Sequence, residues 1–148
     1  MKSVLEKATR LELITRINNI HENAERRWGQ MNVSQMLRHC IKCEEMYLGE
    51  RKYKRVFLGR LFGKIALKRF LKDDTPLKQN EPSAPGFKIT ETNGDVDTEK
   101  KDWATLIESY SHYSNTHFVH WFFGNMTKDE VGQFVYKHSD HHLRQFNT

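Results

Sequence analysis

The stretch Thr127-Lys-Asp-Glu130-Val131-Gly-Gln-Phe134-Val135-Tyr-Lys-His138-Ser-Asp-His141-His142-Leu-Arg-Gln145-Phe146 decides the fold. Thr127 and Glu130 have the spacing of a capping box, in which each residue satisfies a free amide of the other at a helix start. Val131, Phe134 and Val135 then set an apolar face. Continued at helical spacing, that face meets His138, His142 and Gln145, at offsets 0, 3, 4, 7, 11 and 14 from Val131. At ~100° per residue, His138 and His142 share one side of the helix. Side chains four apart lie ~6 Å from each other, close enough to chelate one metal ion. His141 lies on the same side, further off the stripe.

Imidazoles therefore stand where an apolar stripe should continue into a core. Burying them without partners is costly. A divalent cation would be such a partner, and imidazole suits Zn, Ni, Cu and Fe. Satisfied core or rim histidines are the alternative. A metal would need another ligand from a neighbouring helix, and His39 stands at the flank of one. His39, His138 and His142 would leave a position open for water or substrate, as catalytic zinc sites do. No HExxH is present, so a helical Glu base of the metalloprotease kind is excluded.

Working back towards the N-terminus, three more segments read as long helices. The first starts at Ser3-Val-Leu-Glu6, a second capping-box pattern, with Val4, Ala8, Leu11, Ile14 and Ile17 as its stripe, and runs to about Ala24. Another opens near Asn32, with Gln35 at the matching position and Val33, Met36, Leu37, Cys40 and Tyr47 as its stripe. A third begins around Thr98 and carries Trp103, Leu106, Ile107 and Tyr110. No segment shows convincing strand periodicity. The expected fold is all-α: a four-helix bundle in one domain, residues 1–148, with a long crossover between the second and third helices.

That crossover divides in two. Arg51 to Lys72 holds nine basic residues and no acid, with Phe57, Leu58, Leu61, Phe62 and Ile65 interleaved at helical spacing. It reads as a short amphipathic helix with a basic back. An anionic membrane surface, nucleic acid or an anionic ligand would suit it, with Lys64, Lys68 and Arg69 as candidate ligand contacts. The plainer reading is a solvated segment whose apolar side covers the core. Gly59 and Gly63 weaken a membrane helix, and no nucleic-acid motif accompanies the patch. Beyond it, Pro76, Pro82, Pro85, Gly86 and Gly94 predict loop.

Composition bounds the remaining choices. The chain has 148 residues, 24 Lys+Arg, 19 Asp+Glu, eight His and two Cys, for a net charge of +5. Without the nine basic residues of the crossover it stands near −4, so the excess is local. A chain of this length buries roughly 70% of its unfolded surface and needs no disulfide framework. No apolar run approaches the ~20 residues of a membrane span. The charged N-terminus is helix-like rather than a signal peptide. A reduced, cytoplasmic protein is expected. Cys40-Ile-Lys-Cys43 lies mid-helix, so core packing suits it better than redox chemistry. His112, His117 and His120 precede the last helix. His117 and His120 are candidate alternative ligands, outer hydrogen-bond partners or substrate contacts, as are His141 and Gln145. Phe118, Trp121, Phe122 and Phe123 would close a core or wall an apolar pocket.

Three blocks carry a family resemblance: Trp28-Gly-Gln-Met31-Asn-Val-Ser-Gln-Met36-Leu-Arg-His39, His120-Trp-Phe-Phe-Gly124-Asn-Met-Thr127, and Lys137-His138-Ser-Asp-His141-His142-Leu-Arg-Gln145-Phe146. Together they resemble the DinB-like superfamily, through an uncharacterised bacterial branch. The resemblance spans nearly the whole chain and is weakest from Arg51 to Asp95. Trp121 departs from it, since this branch often has Pro after the His. The resemblance implies a four-helix bundle with a long crossover, often a homodimer, and a three-His metal site. By position His39 matches the single His of the second helix, and His138 and His142 match the HxxxH pair of the last. It implies no polymerase activity. Characterised relatives include metal-dependent thiol transferases and an isomerase using low-molecular-weight thiols such as bacillithiol and mycothiol. The expected function is thus a metal-dependent thiol transferase acting on a small molecule. A metal-dependent hydrolase, or a non-enzymatic binding module with a basic surface, is the alternative. No specific nucleic-acid partner is expected.

Overall fold

The last helix forms as its pattern requires. In the computed structural model, which describes residues 1–81 and 84–148, α5 spans Lys128–Gln145. Thr127 Oγ1 accepts from Glu130 N at 3.1 Å, and Glu130 Oε2 accepts from Thr127 N at 2.8 Å. The second helix, α2 (Val33–Tyr47), has the same reciprocal cap from Asn32 and Gln35. Both boundaries follow from short polar side chains that answer amides with no intrahelical partner.

The first helix departs from its reading. α1 spans Lys7–Asn18 rather than Ser3 to Ala24, and Ser3 and Glu6 form no capping box. Val4 N donates instead to Gly132 O at 3.0 Å, tying the segment before α1 to α5. Arg10 fills the space below, its Nη1 donating to Val4 O and Leu5 O. This rotates the helix, so that Leu13, Ile17 and Arg10 are buried while Ala8 and Leu11 face outward. The helix read from Thr98, α4 (Val96–Ser109), begins slightly earlier because Asp95 caps it, Oδ1 accepting from Thr98 N at 3.0 Å.

α2 packs on α4, α4 on α1, α1 on α5 and α5 on α2. The core between them comprises Leu13, Ile17, Met36, Leu37, Cys40, Trp103, Ile107, Val131, Val135 and Leu143, all without exposed surface. Glu44 is buried among them. Its carboxylate accepts from the Tyr110 hydroxyl at 2.5 Å and from Ser139 Oγ at 3.4 Å. Burial pushes its pKa up to about 7, against these hydrogen bonds, which favour the charged form.

Residues 48–95 connect α2 to α4 and contain, among the described residues, α3 (Phe57–Phe70) and a 3₁₀ turn, Pro85–Phe87. Pro76 and Pro85 lie outside α-helix, as expected; Pro82 lies outside the described residues. The orientation of α3 reverses the expectation. Its apolar row does not cover the core: Phe57, Leu58, Leu61, Phe62 and Ile65 are between 55% and 72% exposed. The buried face is Gly59, Gly63 and Leu67. A Cβ on Gly63 would lie 2.0 Å from Phe122 O, and one on Gly59 2.5 Å from the same atom. Only glycine allows this approach of helix to backbone.

Phe122 belongs to a feature the sequence reading did not contain. β1 (Phe118–His120) and β2 (Gly124–Met126) form an antiparallel hairpin with His120 opposite Gly124. Its three-residue loop is closed by Gly124 at φ 80°, the left-handed position such loops call for. The chain is mostly helical, as expected, with five α-helices and one short hairpin among the described residues. No helix of the described residues is long and apolar enough to cross a membrane.

Candidate metal centre

α2 and α5 meet where their apolar stripes give way to imidazole. One ring nitrogen from each of His39, His138 and His142 lies within 4.8 Å of the others. His39 Nε2 and His138 Nε2 are 3.3 Å apart. Two nitrogens on a tetrahedral zinc would be separated by about 3.4 Å.

Hydrogen bonds on the far sides of two rings fix which nitrogen faces the centre. His39 Nδ1 is 3.0 Å from Phe87 O, and a carbonyl can only accept. Nδ1 therefore carries the proton and Nε2 presents a lone pair. His142 Nδ1 is 3.0 Å from Gln145 Oε1. The Gln145 amide is oriented in turn, because its Nε2 donates to Trp28 O at 2.9 Å. His142 Nδ1 is thus also the protonated atom. Two lone pairs converge, and a hydrogen bond from His138 could answer only one of them. A cation would answer both together with that of His138, so the donor set fits a divalent metal. His138 Nδ1 is buried without a hydrogen-bond partner among the described residues.

Charge state points the same way. Burial lowers the pKa of His39, opposed by the Phe87 carbonyl. Burial also drives His138 and His142 well below the usual imidazole range, with neighbouring histidines adding to the effect. All three are neutral near pH 7, the form that ligates. Cys43 Sγ lies 3.7 Å from His39 Nε2, and burial pushes this thiol well up. Cys40, also a free thiol, packs towards Met36 Sδ in the core.

His39 and His142 are buried, while His138 keeps part of its surface open. It opens onto a cavity of about 380 Å³. Phe87, Trp121, Phe122, Phe123 and Phe134 wall it, so the aromatic cluster before α5 is a pocket wall as well as core.

The remaining candidates separate cleanly. His120 lines the cavity but is not in the three-nitrogen group. Its Nδ1 accepts from the amides of Phe122 and Phe123, both at 3.1 Å, which puts its proton on Nε2. The ring stacks on Phe123 and Tyr47, and burial lowers its pKa to about 3. It holds the hairpin turn and stays neutral. His141 lines the cavity with its ring 5.1 Å from His142, outside the ligand group. His112, ending the 3₁₀ turn Tyr110–His112 after α4, and His117, in the loop before β1, are exposed and are not brought to the centre. Gln145 orients a ligand, as described. Lys64 and Lys68 are exposed on α3 and line no part of the cavity; Lys64 pairs with Glu130 at 3.6 Å. Arg69 lines an adjoining groove between α3 and residues 73–81. The sequence reading missed Phe87 and Trp28 as contributors, since both act through backbone carbonyls that leave no side-chain signal.

A family model described as "Protein of unknown function (DUF1569)" matches residues 2–148. No curated protein and no solved structure matches the chain.

Proposed function

We propose, for a chain that belongs to the DUF1569 family, a divalent-metal centre on His39, His138 and His142 serving chemistry on a small molecule in the adjoining cavity. The observation that carries this reading is the pair of outward hydrogen bonds, from His39 Nδ1 to Phe87 O and from His142 Nδ1 to Gln145 Oε1. They fix two neutral rings with their lone pairs turned inward. Zn, Ni and Fe all suit such a site. Three neutral ligands leave the cation's charge uncompensated, and the chemistry it would supply when bound is Lewis acidity that lowers the pKa of a thiol or of water.

The residues of the chain would do the rest. His138 borders the open side, so a substrate enters past it. The aromatic walls exclude water and hold an apolar electrophile. The His120 ring, neutral and protonated at Nε2, is a hydrogen-bond donor at the cavity wall. The resemblance to DinB-like proteins favours a low-molecular-weight thiol as the activated group, and so a metal-dependent thiol transferase. Hydrolysis is the alternative at the same centre. The same resemblance, together with the ring of contacts among α1, α2, α4 and α5, supports a DinB-like four-helix bundle; homodimerisation and a bacterial source rest on the resemblance alone, and a cytoplasmic setting on the composition.

Metal analysis of untagged protein tests the centre. About one divalent ion per chain is expected, with loss of that ion in His39→Ala and His142→Ala. Metal-replete protein that carries none, or His39→Ala that keeps its full complement, would refute the site. With the ion established, conjugation of small thiols to generic electrophiles tests the transferase reading. No turnover with several thiols, combined with intact metal, would point to a binding module.

A further inference from the structure

α3 carries two features that no contact among the described residues explains. Phe57, Leu58, Leu61, Phe62 and Ile65 form an exposed apolar row on its outer face. Soluble surfaces rarely leave so many large side chains together. Along the same segment, Lys52, Lys54, Arg60, Lys68, Arg69 and Lys72 have no ion-pair partner among the described residues, and Arg51 to Lys72 contains no acid. Placed at helical angles, Phe57, Leu61, Ile65, Leu58 and Phe62 span one arc; Arg60 and Lys64 lie along its flank, and Lys68 and Arg69 stand on the arc itself at its C-terminal end. The glycine face fixes this presentation. Gly59 and Gly63 seat that face on the Phe122 backbone, where no larger side chain fits, and leave the apolar row on the opposite side.

We infer that α3 is a docking surface for an anionic lipid bilayer, lying in the interface plane with its apolar row in the acyl boundary and its basic flank on the headgroups. An apolar arc beside unneutralised Lys and Arg is the pattern such helices use. A second copy of the chain fits less well. A two-fold contact through this face would set the same nine basic residues against themselves. Nucleic acid also fits less well, because the outermost side chains are aliphatic and phenyl groups without hydrogen-bond donors for bases or phosphates.

Co-sedimentation of the full chain with phosphatidylcholine vesicles, with and without phosphatidylglycerol, tests the assignment. Binding is expected only with the anionic lipid, and it should weaken as salt is raised. The double variant Leu61→Asp/Ile65→Asp should bind at least about tenfold more weakly, as should Lys68→Glu/Arg69→Glu. All four positions are exposed, so melting temperature and metal content should hold. In Phe62→Trp, brominated phosphatidylglycerol should quench the added tryptophan. Absence of sedimentation, equal binding to uncharged vesicles, or no quenching of Trp at position 62 would overturn the proposal. So would a dimer that Leu61→Asp/Ile65→Asp dissociates while vesicle binding is unchanged.

Discussion

Gln145 shows how much of the histidine centre lies outside its three imidazoles. Its oxygen sets the tautomer of His142, and its own orientation is set by Trp28 O, 117 residues earlier in the chain. The close passage of Gly29 is part of the same arrangement: a Cβ there would lie 2.6 Å from Gln145 Nε2, and φ is +79°. Gln145→Ala should therefore leave the three imidazoles in place but weaken metal affinity by roughly 10- to 100-fold, readable by competition with a chromophoric chelator. Unchanged affinity would mean that the ring needs no such support. The three histidines that come together were legible in the sequence, because helical period places His138 and His142 on an apolar stripe and His39 beside another. Their outer partners were not, since backbone carbonyls brought together from distant positions have no sequence pattern.

At the scale of elements, α3 shows where amphipathicity misleads. The usual rule assigns the apolar face to the core because burying it is favourable. Here two glycines bring the helix backbone against Phe122, and that close approach takes the inward side. Gly63→Ala should cost about 1–3 kcal/mol in denaturant melts through overpacking, whereas Leu61→Asp on the opposite face should cost little. Equal costs would contradict the assigned orientation. α1 was misread for a related reason: Val4 bonds to α5, so Ser3 and Glu6 are held away from the cap their spacing suggests. The hairpin escaped notice because strands of three residues are too short to show alternation. By contrast α2 and α5 began where their caps said, since a capping box is entirely local and nothing distant competes with it.

For the molecule as a whole, buried titratable groups set a pH window. Glu44 has a folded pKa of about 7, above its ordinary 4.5. A raised folded pKa means that its contribution is present at low pH and is lost as pH rises from about 4.5 through 7. The lowered histidines act in the other direction, their contribution being lost as pH falls below the ordinary imidazole range. Comparing Glu44→Gln with the natural chain isolates the first effect. The variant should gain relative stability from about pH 5 to pH 8, by at most about 3 kcal/mol; a difference that stays constant with pH would show that Glu44 does not titrate in this range. The crossover adds a different kind of global property. The carbonyl that selects the His39 tautomer belongs to Phe87, on the same connection that carries α3. A cation bound at His39 would restrain the crossover at Phe87, and whatever favours that same position of Phe87 would tighten the cation by the same factor, since coupling free energies are reciprocal. The longest connection in the chain would in that sense be a thermodynamic part of its histidine centre, joining the exposed face of α3 to the imidazoles between α2 and α5.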